Sequence, residues 1–509
     1  MEPVTSQSQT RYTFAVATTR SNQPICRSLS FLLRSALLIG ALMFGAAAVA
    51  ANDFNLPVLG DTTSSTISPS QEYELGRAWL AAFRARVRTL DDPELQQYVE
   101  NLTYELSRHS ELNDHRLELI VINNPTMNAF AVPGGVIGVH TGLFRFAETE
   151  HQLASVLAHE LAHLSQRHFA RSLETRKASS IGTMAGLLAG IILAATVGGD
   201  AGMAAMTATQ AAALESSLRY SRQNEQEADR IGMQTLYKSG RNPAAVSAMF
   251  ERMLAATRYT GRRPPEFLLT HPLTESRVAD ARARINNYPP RQYPHRPEYD
   301  FMRARSLIWI DANAAKSVQR FRSELDGVTT SRTGARYGLA LAYSRQGNHD
   351  AAQKTLAPLL EEQPKNIALQ LAAVSLDINR GNHINAIERI ESLEPLHGNN
   401  YALQRYKAEA LLKSDKYQAA ERVLEELSKQ RPSDPDVWFQ LAEISGLAGD
   451  IVGVHKARAE YFILIGVYDK AKDQLTYAKR LVQQDFRESA MLDARLQQVA
   501  EMIEKAERL

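Results

Sequence analysis

Residues 159–168 read His-Glu-Leu-Ala-His-Leu-Ser-Gln-Arg-His, an HExxH motif inside an apolar helical pattern. On a helix, side chains four apart share a face, so His159 and His163 point the same way. Two imidazoles so placed can bind one Zn²⁺ at roughly 2.0–2.1 Å each. Glu160 sits beside the first of them. There it reaches water that the metal acidifies to a pKa of about 7, and a carboxylate can take that proton at neutral pH. This is the working core of a metallopeptidase. HExxH is short enough to arise by chance, so its surroundings decide. Leu157, Ala158, Leu161, Ala162 and Leu164 make the helix apolar around it. Burying two histidines and a glutamate without partners is costly, and a metal removes that cost.

A third ligand must come from elsewhere. His168 lies nine positions after His159, which on a continuous helix is the opposite side, so a surface position is expected for it. The longer signature HExxHxxGxxH also fails, with Gln166 and Phe169 at its last two fixed positions. The better source is Ser221-Arg222-Gln223-Asn224-Glu225-Gln226-Glu227-Ala228-Asp229. Glu225 and Asp229 are four apart on a second helix. Glu225 can be the third ligand, and Asp229 can orient a histidine through its second ring nitrogen. The bland reading of an acidic pair in a charged stretch is a solvated face, and without HExxH that reading would win.

HExxH, then Ser-Arg-x-x-Glu-x-x-Ala-Asp, with Asn128-Ala129-Phe130-Ala131-Val132-Pro133-Gly134-Gly135 before them, resembles the HtpX and CAAX-prenyl-protease superfamily of zinc peptidases. Within it the chain is similar to the periplasmic branch with C-terminal TPR repeats, the β-barrel assembly-enhancing proteases. The resemblance spans roughly residues 70–509. It implies that His159, His163 and Glu225 hold one zinc per chain and that Glu160 is the general base. Glu227, two residues from Glu225, is out of register for a ligand. The resemblance also bears on Thr270-His271-Pro272, in a loop marked by Pro264, Pro265 and Pro272. It implies that His271 is a fourth ligand and switch, filling the open position that catalytic zinc needs. The other role for His271 is an oxyanion stabiliser in the working state.

The elements that must position these residues can be read along the chain. Its 509 residues suggest about three domains. With 44% hydrophobic and 22% charged residues it is globular in composition, and a net charge of +2 gives no nucleic-acid signal. Residues 1–51 read as a signal peptide: basic residues reach Arg34, an apolar run follows, and Ala48-Val49-Ala50 is a cleavage pattern. The run is short for a membrane span, although an uncleaved anchor is the competing reading. Cleavage would remove Cys26, the only cysteine, which suits an oxidising compartment.

Residues 52–68 are a polar linker. Ser68, Pro69 and Gln71 then read as a capped helix start, and 69–285 as the zinc peptidase domain. Residues 116–122 read as a strand, and 129–132 with 136–140 as two strands flanking Pro133-Gly134-Gly135. An edge strand beside the active helix can hold extended substrate by main-chain hydrogen bonds, a role assigned to Gly135, Val136, Ile137 and Gly138. His140 reads as a structural strand residue. Residues 181–198 carry no charge, with Gly182, Gly186 and Gly190 every fourth position. Small residues so spaced let helices pack closely. A buried helical hairpin over 181–214 is the first reading; peripheral contact with the outer membrane, or a lid, is the second.

Residues 286–299, rich in proline, read as a semi-rigid linker. Beyond them Ala352, Ala386 and Ala420 are 34 apart, and Gly347, Gly381, Asp415 and Gly449 keep that period. Helix pairs of 34 residues are TPR-like, and 300–509 should form a solenoid whose concave surface binds peptide segments or folded partners. The fold class is therefore mainly α: a gluzincin-like α+β peptidase domain with a small sheet, followed by the solenoid. Two functions follow. One is a periplasmic zinc endopeptidase that degrades misassembled outer-membrane proteins, targeted through its TPR repeats to the β-barrel assembly machinery and with chaperone activity. The other is a proteolytically quiet chaperone or scaffold for the same proteins.

Overall fold

Ser68 starts the first helix, α1 (Pro69–Arg84). Its side chain accepts from the Gln71 backbone N–H, and the Gln71 side chain bonds back to the Ser68 N–H, closing the capping box. The structure, a computed structural model, describes residues 67–87, 89–175, 221–260 and 265–508. The expected signal segment, most of the polar linker and the glycine-spaced stretch 181–214 lie outside the described residues.

After α2 (Pro93–Ser107) come three strands, β1 (Glu118–Ile122), β2 (Ala129–Val132) and β3 (Val136–His140). Their order is β1-β3-β2, with β3 parallel to β1 and antiparallel to β2. The turn between β2 and β3 needs two successive left-handed residues, and Gly134 (φ +79°) with Gly135 (φ +82°) supply them. Alternate side chains go to opposite faces. Ile120, Ile122, Phe130, Val132 and Val136 pack on Leu75, Trp79 and Phe83 of α1. Leu119, Val121, Ala129, Ala131, Ile137 and Val139 join the larger core with α2. A sheet covered on both faces reads as continuous apolar runs, as these strands do.

The sheet corrects one expectation. β3, which carries Val136, Ile137 and Gly138, is the central strand. Its two sides are filled by β1 and β2, and the Gly135 carbonyl accepts from the Glu118 N–H. Gly135, Val136, Ile137 and Gly138 therefore have no open edge for substrate. That edge belongs to β2: among the described residues no strand pairs with its outer side.

The N-terminal half continues through α3 (Thr141–Phe146), α4 (Glu150–Ser165), α5 (His168–Thr175), α6 (Arg222–Lys238), α7 (Ala245–Thr260), α8 (Glu266–Thr270) and α9 (Glu275–Ile285). The repeat half pairs α10 (Pro297–Ile310) with α11 (Ala314–Asp326), α12 (Arg332–Arg345) with α13 (His349–Glu362), and α14 (Ile367–Asn379) with α15 (His383–His397). It goes on with α16 (Tyr401–Lys413) and α17 (Tyr417–Gln430), α18 (Pro435–Ala448) and α19 (Ile451–Leu464), then α20 (Tyr468–Leu481) and α21 (Phe486–Arg508). Gly347, Gly381, Asp415 and Gly449 all have positive φ in the turns inside the pairs. A Cβ on any of the three glycines would meet nothing within 4 Å, so the 34-residue period records backbone handedness rather than crowding. Ala352, Ala386 and Ala420 are fully buried where the pairs stack.

The proline-rich stretch does not separate two cores. One apolar cluster runs from Leu95 and Leu157 in the N-terminal half to Tyr299, Phe301, Leu339 and Leu369 in the C-terminal helices. Tyr299 donates to the Ala147 carbonyl at 2.6 Å, and Ser306 to that of Thr141 at 2.9 Å. Repeat helices also contact α2 through polar and charged side chains. Arg305 of α10 grips Asp92 at 2.7 Å and Glu94 at 2.8 Å, and Tyr406 of α16 donates to Glu94 at 2.8 Å. Arg405 reaches Asp91 at 2.7 Å, and Arg431 reaches Glu100 at 2.5 Å.

Candidate metal centre

Helix α4 carries the HExxH motif. Thr149 caps its start with Gln152 in a second capping box, and His159, Glu160 and His163 are all buried. Helix α6 lies against it so closely that a Cβ on Gly232 would come 3.3 Å from the His159 backbone N. That approach brings Glu225 and Asp229 to the histidines. Asp229 Oδ1 is 3.0 Å from His159 Nδ1, which leaves His159 Nε2 facing inward. His271 caps the C-terminal end of α8 and also reaches the cluster. Its backbone N–H bonds the Phe267 carbonyl at 2.8 Å, and the Phe267 ring stacks on its imidazole.

His159, His163, Glu225 and His271 offer donor atoms that all lie within 4.8 Å of one another. Donors each ~2.0–2.1 Å from a tetrahedral ion stand ~3.3 Å apart. Here His159 Nε2 is 3.0 Å from His163 Nε2, and Glu225 oxygens are 3.5 Å from each of these nitrogens. His271 Nδ1 is 3.4 Å from His159 Nε2 and 3.0 Å from Glu225 Oε1. The donor set therefore fits a zinc-sized cation.

The electrostatics agree. Burial pulls the His159 pKa down, but hydrogen bonds and charge from Asp229 and Glu225 outweigh it and push the value up to about 9. These carboxylates thus draw positive charge into the centre. Burial drives His163 well below the usual imidazole range, with His159 adding to the effect, so it presents a neutral ring. Burial likewise raises the Glu160 carboxyl. Glu160 Oε1 is buried without a hydrogen-bond partner, 3.6 Å from His271 Nε2, and the Ala131 backbone N–H of β2 is close enough to favour the charged carboxylate slightly.

Three residues in this constellation escape a reading by periodicity. His168 is not a surface residue. Its side chain is buried, with Nδ1 2.8 Å from His163 Nδ1 and Nε2 3.1 Å from Glu227. The helical count fails because α4 ends at Ser165 and Arg167 is left-handed at φ +49°. Arg167 is held there by Glu72 at 2.8 Å and the Ile67 carbonyl at 2.6 Å. Glu227 lies outside the donor cluster, as its register suggested. The hydrogen bond from His168, helped by Arg171, holds its carboxyl down to about 2. The network then sets the tautomers: His168 donates from Nε2 to Glu227, its Nδ1 accepts from His163 Nδ1–H, and His163 Nε2 is left as a lone pair. Arg277 is the third. It forks onto Asp229 at 2.7 and 2.8 Å, reaches Glu225 at 2.7 Å, and donates to the Pro272 carbonyl at 2.9 Å. One guanidinium thus ties two acidic residues to the loop that carries His271. His140 is buried on β3 beside Thr126, and burial lowers its pKa to about 3, as suits a structural residue.

Comparison with known proteins decides the family. Residues 90–285 match Peptidase family M48, and residues 402–444 match a tetratricopeptide repeat. The chain is 35% identical over 473 residues to the β-barrel assembly-enhancing protease of Escherichia coli K12, covering 92% of this chain and 96% of that protein. The chain belongs to the β-barrel assembly-enhancing protease family. The family's Yersinia pestis member is 33% identical over 481 residues, covering 94% of this chain and 98% of that one. The mitochondrial metalloendopeptidase OMA1 of Schizosaccharomyces pombe is 34% identical over 182 residues, 36% of this chain and half of that protein. As a member of this family the chain is a metalloendopeptidase with an M48 domain and TPR repeats.

The His163–His168–Glu227 relay leads to a specific expectation. His168→Ala should weaken metal binding about 10- to 100-fold, the usual cost of losing a partner that orients a ligand. Chelator competition measures it, and affinity within twofold of the native chain would contradict the assigned role.

Proposed function

We propose that this chain is a zinc endopeptidase of the periplasm that degrades misassembled outer-membrane β-barrel proteins. Residues 69–285 are the peptidase half and 300–509 the TPR half, joined at 286–299. The observation that carries the reading is the buried set His159, His163, Glu225 and His271 with Glu160 beside it. The relatives are β-barrel assembly-enhancing proteases by name, which supports proteolysis in the context of β-barrel assembly. The TPR half directs the peptidase to the β-barrel assembly machinery. Among the described residues no helix is long and apolar enough to cross a membrane.

His159, His163 and Glu225 would hold one zinc per chain. When bound, zinc supplies Lewis acidity toward the scissile carbonyl and toward water. The chain's own residues do the rest. Glu160, buried on α4 beside the donor cluster, accepts a proton and returns it to the leaving amine. Asp229 and His168 fix the imidazole tautomers, and Arg277 holds Glu225 in place. An extended substrate pairs with the open side of β2, parallel to the role first given to Gly135–Gly138 but one strand over. His271 stands where substrate must enter and keeps the peptidase quiet until its loop moves. Its position also favours the second reading, a chaperone whose peptidase is held silent.

The test is cleavage of an unfolded outer-membrane barrel protein by the purified mature chain. One zinc per chain, loss of cleavage on chelation and recovery with added zinc are expected. A zinc-loaded chain that binds the substrate, keeps it soluble and leaves it intact would favour the scaffold.

A further inference from the structure

We infer that a pocket beside the metal centre selects substrates by an aromatic or large aliphatic side chain near the cut bond. The inference rests on the peptidase reading above. The pocket, about 150 Å³, has an apolar side of Tyr73, Leu112, Ala131, Pro133, Leu164 and Phe169 and a polar side that includes Glu72, Asp114, Arg116 and Arg167, and it reaches His163. Two of its boundaries belong to the reaction site. His163 is in the donor cluster, and Ala131 lies on β2, the strand with the open edge, near Glu160. A segment paired along that edge sends alternate side chains to one side, and one of them falls into this pocket.

Size and charge define what it takes. An apolar cavity of roughly 150 Å³ holds a benzene ring, so the space suits a phenylalanine, tyrosine or leucine side chain. The four charged groups around it are committed to one another. Arg116 pairs with Asp114 at 2.6 Å and lies 4.0 Å above the Tyr73 ring, and Arg167 pairs with Glu72 at 2.8 Å. An ionised side chain would find those charges already paired with one another, whereas an apolar one gains the contacts of Tyr73, Leu112, Leu164 and Phe169. Strands of membrane barrels alternate apolar and polar residues and carry aromatic girdles. An unfolded barrel chain therefore offers extended segments with the matching side chain at every second position.

The experiment uses the full mature chain, both native and with His271→Ala, on a mixture of unstructured peptides, with every cut bond mapped by mass spectrometry. The zinc-loaded Glu160→Gln chain supplies a binding measurement free of cleavage, using one fluorescent peptide with Phe, Leu, Ala, Asp or Lys at a single position. Phe and Leu are expected to be favoured over Ala, Asp and Lys by about 10- to 100-fold in both readouts, the range that hydrophobic pockets reach. Leu112→Trp, which fills the space, should shift the preference toward Ala. Leu112→Glu should shift it toward Lys. Cleavage with no side-chain preference, or a preference that neither variant moves, overturns the pocket and leaves the peptidase standing. Absence of cleavage by the native and His271→Ala chains alike overturns the peptidase reading and the pocket with it.

Discussion

A chain carrying Glu160→Gln is expected to bind its metal normally and to lose about 10²- to 10⁴-fold in peptide cleavage, the contribution typical of a positioned acid–base group. The side chain is not one of the four clustered donors, so the ligand set is untouched. Glutamine has the same shape and fills the same buried position beside Ala131. What it lacks is a basic oxygen. Burial raises the Glu160 carboxyl, with His271 and His159 opposing. A raised carboxyl is a stronger base, better matched to taking a proton near neutral pH. Cleavage of an unfolded protein, followed beside metal content, checks this. A loss below about tenfold, with metal retained, would remove Glu160 from its role.

Arg305→Ala is expected to cost about 3–5 kcal/mol of stability, the range for breaking a buried ion pair from one side. Arg305 bonds both oxygens of Asp92, at 2.7 and 2.8 Å, reaches Glu94, and donates to Tyr406 at 2.8 Å. Asp92 is also the N-cap of α2 and accepts from Trp309. Without the guanidinium, two buried carboxyls at the start of α2 lose their cation at the joint between the two halves. Denaturant unfolding measures the loss, and a change under about 1 kcal/mol would contradict it. The same joint gives stability a pH dependence. Burial pushes the Glu94 carboxyl up to about 7, with Arg305 opposing and Asp92 adding to the rise. A carboxyl that binds its proton more tightly when folded stabilises the fold at low pH. That contribution is lost as pH rises from about 4.5 to about 7. Glu94→Gln should flatten this part of the stability profile.

Local chemistry made much of this protein legible in its sequence. The capping box at Ser68 and Gln71 lies within one helical turn. The pair His159 and His163 needs only the helix that contains it. The 34-residue period shows because each turn demands a left-handed residue, met by glycine or, at Asp415, by a short polar side chain that tolerates it. What stayed hidden depends on distant chain. That β3 pairs with β1, and so becomes central, is written in no single segment. His168 is hidden because Arg167, held left-handed by Glu72 and the Ile67 carbonyl, breaks the periodicity. Arg277 sits in a helix whose sequence reads as an ordinary charged surface, yet it is buried against Asp229 and Glu225. Arg305 and Asp92 meet only once the repeats have closed on α2. In each case a local rule applies until a tertiary contact overrides it.

The most direct test compares the native chain, His271→Ala, and His271→Ala with Glu160→Gln, all zinc-loaded, on the same unfolded outer-membrane barrel protein. His271 Nδ1 lies among the donors and its Nε2 faces Glu160, so its removal should open the centre. Slow cleavage by the native chain, faster cleavage by His271→Ala, and none by the double variant are expected. If His271→Ala cuts no faster than the native chain, or if the double variant cuts as well as His271→Ala, the gated peptidase described here is wrong.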